Sequence, residues 1–202
     1  HEEQNASFGP AGRSLTTMRR GVSALPRYHR CRRRLVHTTA RRTTAAHALA
    51  CMNVGRQRAS LEDPVMAEFL AATPAVNSLA RATPGFLWSY DNDDPNARWS
   101  VPELVQDQLL MPQLSLWSDL ESLRHFAFKS GHAMYYKRRH EWFQDLEPPF
   151  TVLWWWRWSN EGDPSPPSLA EAFNRLRHLR HHGPSQFAFT FKTAIQFTSE
   201  TV

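Results

Sequence analysis

The 202-residue chain has the length of one domain with an appendage, and its charge is divided unevenly. Residues 1–58 contain twelve arginines and two glutamates, a net charge of +10, whereas residues 59–202 carry a net charge of −5. A mildly acidic domain lacks the Lys and Arg that neutralise phosphates, so we expect no nucleic-acid surface on it. No apolar run reaches the roughly 18 residues of a membrane span, and the two cysteines fit no zinc or disulfide pattern.

The first 44 residues are expected to form a basic, disordered leader. From Met18 the sequence is rich in Arg, Ser, Thr and Ala and has no acidic residue before Glu62. This composition is typical of mitochondrial transit peptides; the alternatives are a basic arm without a targeting role and an incorrectly assigned start. We expect an intracellular protein, cytoplasmic or mitochondrial, with a domain over 45–192 and a tail over 193–202.

The first half of the domain is predicted to contain three strands and one helix. Small apolar residues at 46–54 predict the first strand. Apolar residues then recur at steps of three and four from Val65 to Leu79, as on one buried face of a helix. The segments FLWSY at 86–90 and LSLW at 114–117 predict the second and third strands.

The second half is predicted to contain helices on both sides of a further strand. SDLE at 118–121 has the pattern of a capping box and opens a helix, which a second helical piece over 133–146 follows. FTVLWWWRW at 150–158 predicts the fourth strand. SLAE at 168–171 is another capping box at a helix start, and FAFTF at 187–191 predicts a last short strand.

The element order β-α-β-β-α-β is the split βαβ pattern of ferredoxin-like α+β folds. We therefore predict a four-stranded antiparallel sheet with helices on one face. Along the fourth strand Trp154 and Trp156 share one side and Trp155 lies on the other, so this strand is apolar on both faces. Because the helices of one chain would then cover only one face, we predict a homodimer in which a second copy covers the other.

Several motifs occur in a characteristic order along residues 46–191. They are MAEF at 66–69, VNSLA at 76–80, PGFLW at 84–88, LSLW at 114–117, SGHAMYYKRRHEWF at 130–143, LWWW at 153–156, SLAEAFNRLRHLRHHGPS at 168–185 and FAFTF at 187–191. In these motifs the chain resembles the DUF3291 family, a family of unassigned activity in the dimeric α/β barrel superfamily. One departure is Gln113, which stands where the family often has Asn before the LSxW strand.

The resemblance implies a dimeric α/β barrel built from ferredoxin-like protomers. Relatives in the superfamily include cofactor-free monooxygenases, haem-degrading monooxygenases and isomerases, and many have a pocket between the sheet and the helices. Since a fold does not determine a function, the candidate residues must be examined themselves.

The densest polar cluster in the domain surrounds the segment 132–142. His132, Tyr136 and Arg139 fall on one helical stripe if the helix begins near His132. In an active site the imidazole would transfer a proton, the guanidinium would hold an oxyanion and the phenol would orient a ring. The structural alternative is that the arginines pair with nearby acidic residues. We expect five tryptophans to bind the ligand: Trp88, Trp117, Trp142, Trp154 and Trp156.

These residues predict an enzyme of the cofactor-free monooxygenase or isomerase type, acting on a small aromatic or polyketide-like molecule. One alternative is a non-catalytic dimeric module that binds a ligand or only assembles. Another is a haem-binding, monooxygenase-like protein, whose candidate axial ligands are His125, His132 and His140. The histidines of HLRHH at 178–182 have a spacing compatible with a metal, but their place in the last turn of a helix favours capping, and no metal is expected.

Overall fold

The structure is a computed structural model that describes residues 47–90, 97–158 and 165–197. Over these ranges the chain has an α+β fold in which helices pack on an antiparallel, curled sheet that resembles half of a barrel. The predicted leader and the end of the predicted tail lie outside the described residues.

The strand order of the sheet confirms the ferredoxin-like pattern. The strands of the described ranges are β1 (His47–Gln57), β2 (Phe86–Ser89), β3 (Leu110–Trp117), β4 (Phe143–Gln144) and β5 (Thr151–Arg157). β1 is central, with β3 along one edge and β5 along the other, and β2 pairs with β3. The two-residue β4 continues the edge formed by β5 and is an addition to the four predicted strands. FAFTF forms only an isolated bridge, between Phe189 and Leu153.

Helices fill the connections between the strands. They are α1 (Ala67–Ala82), α2 (Pro102–Gln106), α3 (Leu120–Arg124), α4 (His132–Arg138) and α5 (Leu169–His182). A π-helical turn over His125–Lys129 joins α3 to α4, and a 3-10 turn over Arg139–Glu141 follows α4. Ser168 caps α5 as SLAE predicts, whereas Asp119 rather than Ser118 accepts the capping bond at α3. No helix among the described residues is long and apolar enough to cross a bilayer.

Both faces of the sheet are covered by helices, which differs from the expectation of helices on one face. The face of β1 that carries Ala48, Ala50 and Met52 packs against Trp154 and the apolar side of α5, and we call it the α5 face. The opposite face, which carries Leu49, Cys51, Asn53 and Gly55, packs against α3 and the π-helical turn, and we call it the cavity face.

The position of α5 explains why β5 is apolar on both sides. Five buried residues of α5 lie on the α5 face, so the chain itself covers the surface that the sequence assigned to a partner: Leu169, Ala172, Phe173, Leu176 and Leu179. At about 25 cal/mol per Å² of buried apolar surface, such a helix contributes strongly to folding. The two-sided pattern of β5 therefore no longer requires a second copy.

Candidate functional site

A cavity of about 150 Å³ lies between the cavity face and α4. Its floor consists of two pairs of residues, Asn53 with Gln113 and Gly55 with Met111, which lie directly opposite each other on β1 and β3. Residues directly opposite in an antiparallel pair share one face of the sheet, so these four side-chain positions form one patch. The floor is therefore half polar amide and half small or apolar.

The roof of the cavity comes from α4 and the 3-10 turn that follows it. His132 and Tyr136 lie one helical turn apart on α4, and Arg139 begins the next turn. All three line the cavity, as do Tyr135 and His140. The predicted stripe of His132, Tyr136 and Arg139 thus faces one cavity, although α4 is shorter than the predicted helical piece over 133–146.

Aromatic side chains close the side of the cavity between α1 and β4. The ring of Phe69 on α1 meets the ring of Phe143 edge to face with centroids 5.1 Å apart, and Trp142 lies 6.1 Å from Phe69. Tyr135 approaches Trp142 at 6.3 Å. Gly55 makes this packing possible, because a Cβ atom there would lie 2.7 Å from Cδ1 of Phe143.

His132 is held as a neutral imidazole by its surroundings. Nδ1 lies 3.2 Å from the carbonyl oxygen of Ala127, in the π-helical turn, and the ring stacks on Phe126 with centroids 4.7 Å apart. Because a carbonyl can only accept, Nδ1 carries the proton and Nε2 carries a lone pair in the neutral ring. Burial lowers the pKa of His132 below its ordinary value near 6.5, and the bond to Ala127 offsets part of this shift. His132 is thus prepared to accept a proton at Nε2.

The two neighbouring arginines have different roles. Arg138 forms ion pairs with Glu68 of α1 and with Glu141, and its guanidinium lies 5.0 Å from the ring centre of Trp142, so it joins α1 to α4. Arg139 lies over the ring of Tyr136 at 4.8 Å. Among the described residues no carboxylate lies within ion-pair distance of Arg139, which leaves its charge available to an anion. The alternative interpretation, in which the arginines pair with nearby acidic residues, therefore applies to Arg138.

The structure separates the five predicted tryptophans. Only Trp142 lines the cavity. Trp154 is fully buried on the α5 face, and Trp88 and Trp156 pack against the same core. Trp117 is buried in the cluster of the cavity face, where its Nε1 donates to Ser115 Oγ at 2.9 Å. Most of the indoles therefore fill the core.

The model of a domain of unknown function, DUF3291, matches residues 48–201. The chain belongs to the DUF3291 family. The match spans the described sheet and helices and confirms the resemblance seen in the sequence motifs. No curated protein and no solved structure matches the chain significantly. The function of this DUF3291 domain must therefore be argued from its cavity.

Sequence reasoning missed the floor of the cavity in the DUF3291 domain. Asn53 lies in a strand whose other residues are mostly apolar, and Gln113 stands out in the sequence only as a departure from the family pattern. One signal was present, because a polar amide in the middle of a buried strand requires a partner or water. That the two amides lie side by side depends on the register of β1 and β3, which the sequence does not reveal.

The cavity of the DUF3291 domain gives the haem alternative no support. Pockets for drug-sized ligands have volumes of about 300–1,000 Å³, and a porphyrin belongs in that range, whereas this cavity has about 150 Å³. Of the candidate axial ligands, His125 is exposed in the π-helical turn, and His132 and His140 line the cavity. Among the described residues no group of three His, Cys, Asp or Glu side chains has an arrangement suited to a metal ion.

Proposed function

We propose that the cavity binds a small aromatic molecule with an acidic proton and that His132 removes this proton as a general base. The observation that carries the proposal is a half-buried, neutral imidazole in the same aromatic-walled cavity as Arg139, whose charge no described carboxylate neutralises. A neutral imidazole that can accept a proton and a nearby cation for the resulting anion are the usual components of proton abstraction.

The volume of the cavity limits the size of the ligand. The cavity volume of about 150 Å³ lies below the range of about 300–1,000 Å³ that is usual for drug-sized ligands, which favours a molecule with a single ring. This matches one aromatic ring with one or two substituents. A polycyclic polyketide is larger, and we therefore keep the small aromatic molecule as the proposed substrate class.

The chemical step transfers one proton. Nε2 of His132 takes a proton from a carbon next to a carbonyl group of the substrate. The C–H electron pair forms a C=C bond to the carbonyl carbon, and the C=O π pair moves onto the oxygen, which becomes negatively charged. Arg139 would stabilise that charge, while Tyr136 orients the ring. Return of the proton to another carbon would complete an isomerisation. Reaction of the carbanion with O₂ would begin a cofactor-free oxygenation, so the same first step serves both predicted enzyme types.

Deuterium exchange into phenylpyruvate tests the base directly. This probe has one ring, a carboxylate and an acidic CH₂ group, whose proton signal disappears in D₂O as exchange proceeds. We expect the protein to accelerate the exchange and His132→Gln to reduce the acceleration at least 10-fold, because general bases contribute about 10²–10⁴-fold. His125→Gln, at an exposed histidine that does not line the cavity, should keep the full rate. Exchange at the uncatalysed rate in the unaltered protein would refute the catalytic part.

Binding of benzoate tests the cation separately from the base. By calorimetry we expect one saturable site, with an affinity about 10-fold lower in Arg139→Gln, since hydrogen bonds to charged groups contribute about 1.5–3 kcal/mol. Lys137→Gln removes one charge from an exposed position of α4, two residues before Arg139, and should leave the affinity unchanged. Equal losses in both variants would mean that only the overall charge matters.

A non-catalytic binding module is the second candidate. It is favoured by the packing of most indoles into the core and by the small cavity volume, which together leave little space for a substrate and a co-reactant. Saturable binding of benzoate without accelerated exchange of phenylpyruvate would support this function over catalysis.

The homodimer also remains a proposal, now on a different ground. With α5 on the sheet, we place the contact with a second copy on the outer side of α1 and α4, where Leu70 and Met134 are 49% and 65% exposed. Light scattering should give about twice the chain mass of 23.3 kDa. A monodisperse monomer at micromolar concentration would exclude the dimer.

A further inference from the structure

We infer that Asn53 and Gln113 form an amide pair that binds a hydroxyl or carbonyl group of the ligand. The ligand would then be an aromatic anion with a second, neutral polar substituent at the end of the ring away from its charge. This inference rests on the proposed function, because it assumes a ligand whose charge lies near Arg139.

Strand register places the two amides together. Asn53 on β1 lies directly opposite Gln113 on β3, and both line the cavity. Directly opposite residues have Cβ atoms about 4.5–5.5 Å apart, a distance at which two amides can bind the same group. On its other side Asn53 is paired with Thr151 of β5, so its backbone is held between two neighbouring strands. The amide pair is therefore built on a rigid part of the fold.

The amide pair is available for binding, whereas another amide of the cavity is not. Gln144 also lines the cavity, but its Nε2 donates to the carbonyl of Gln57 and its Oε1 accepts from Arg56. Among the described residues neither the Asn53 amide nor the Gln113 amide has a hydrogen-bond partner in the protein. Gln144 thus has a structural role at the end of β1, while the amide pair can bind a ligand.

The chemistry of the amide pair selects the kind of group that it binds. Each amide offers two N–H donors and one carbonyl acceptor, so a hydroxyl, which both donates and accepts, can bond to both. An anionic group would gain less here than beside Arg139 on the roof. The ligand would therefore lie with its charge towards the roof and its neutral polar group on the floor.

Calorimetry with two probes tests this inference. We expect 4-hydroxybenzoate to bind about 3- to 10-fold more tightly than benzoate, since a neutral hydrogen bond contributes about 0.5–1.5 kcal/mol. Asn53→Leu and Gln113→Met should each reduce or abolish this preference, which is measured as the ratio of the two affinities within the same variant. Thr151→Val is the matched control and should keep this preference. Thr151 lies opposite Asn53 on the same face of the sheet but does not line the cavity.

The outcomes separate this inference from the proposed function. Equal affinities for the two probes in the unaltered protein, or a preference that survives both substitutions, would overturn the amide pair and leave the roles of His132 and Arg139 intact. Failure of both probes to bind would overturn both. If Asn53→Leu lowers the melting temperature strongly, Gln113→Met decides the matter, because Gln113 is exposed and its substitution should not disturb folding.

Discussion

The two faces of this sheet are built from the same strands but have different contents. On the α5 face, β1 presents Ala48, Ala50, Met52 and Val54, all buried, and Trp154 fills the space below α5. On the cavity face, β1 presents Leu49 and Cys51 and then changes to Asn53 and Gly55, where apolar packing ends and the cavity begins.

The difference shows how one strand can serve both stability and a site. Because side chains alternate between faces, two residues on one face can be exchanged for an amide and a glycine without affecting the other. The α5 face is a continuous cluster of buried apolar side chains. The cavity face lacks large side chains at two positions and covers the gap with α4 instead. The following experiments test this comparison, from the largest expected effect to the smallest.

Removal of the Trp154 indole should destabilise the protein most. Trp154→Ala would leave a void below α5, and such a substitution at a fully buried aromatic costs about 3–5 kcal/mol of unfolding free energy. Trp99→Ala, at a side chain that is 66% exposed, should change it by less than about 0.5 kcal/mol. Urea unfolding measures both. A loss below about 1 kcal/mol at Trp154 would show that the α5 face is not tightly packed.

A methyl group at Gly55 should affect the cavity face. Gly55→Ala would place Cβ 2.7 Å from the Phe143 ring, so the aromatic side of the cavity must shift, at a cost of about 1–3 kcal/mol. We also expect Gly55→Ala to lower the affinity for benzoate, measured by calorimetry. Gly131→Ala meets only Leu79 at 3.4 Å and is the matched control. Unchanged affinity in Gly55→Ala would mean that the ligand does not contact this side.

The pH dependence of stability should report the burial of His132. Its folded-state pKa is lowered by burial, so below about pH 6.5 the unfolded chain binds the proton more readily than the folded one. The stability associated with the neutral ring is fully present above that pH and is lost as the pH falls towards the folded-state pKa.

Urea unfolding at pH 7.5 and pH 5 measures this loss. We expect the unaltered protein to lose more stability than His132→Gln between the two values. His47, whose pKa is also lowered by burial, contributes in the same direction to both proteins and cancels in the comparison. Parallel pH profiles would show that water already reaches His132 freely.

The smallest effect is expected at Cys51, two residues before the amide on the cavity face. Burial raises the pKa of its thiol to about 12, so almost no reactive thiolate exists at pH 8. In a Cys31→Ser variant, iodoacetamide should modify Cys51 only after urea unfolding, as measured by mass spectrometry. Rapid modification of the native protein would show that the cavity extends past Asn53 as far as Cys51.

The sequence alone determined the features that depend on local periodicity. Alternating apolar residues predict the strands, and the spacing of His132, Tyr136 and Arg139 places them on one helical stripe. The short motifs, taken in order along the chain, identified the DUF3291 family. These features could be predicted because each depends on residues close together in the chain.

Only the tertiary structure decided what the indoles and the amides do. Whether Trp154 faces a ligand, a partner or α5 depends on where a helix that begins fifteen residues later packs. The pairing of Asn53 with Gln113 depends on a strand register between segments sixty residues apart, and the tautomer of His132 depends on a carbonyl in a π-helical turn. Local propensity does not encode such contacts, because their energies arise only when distant parts of the chain pack together.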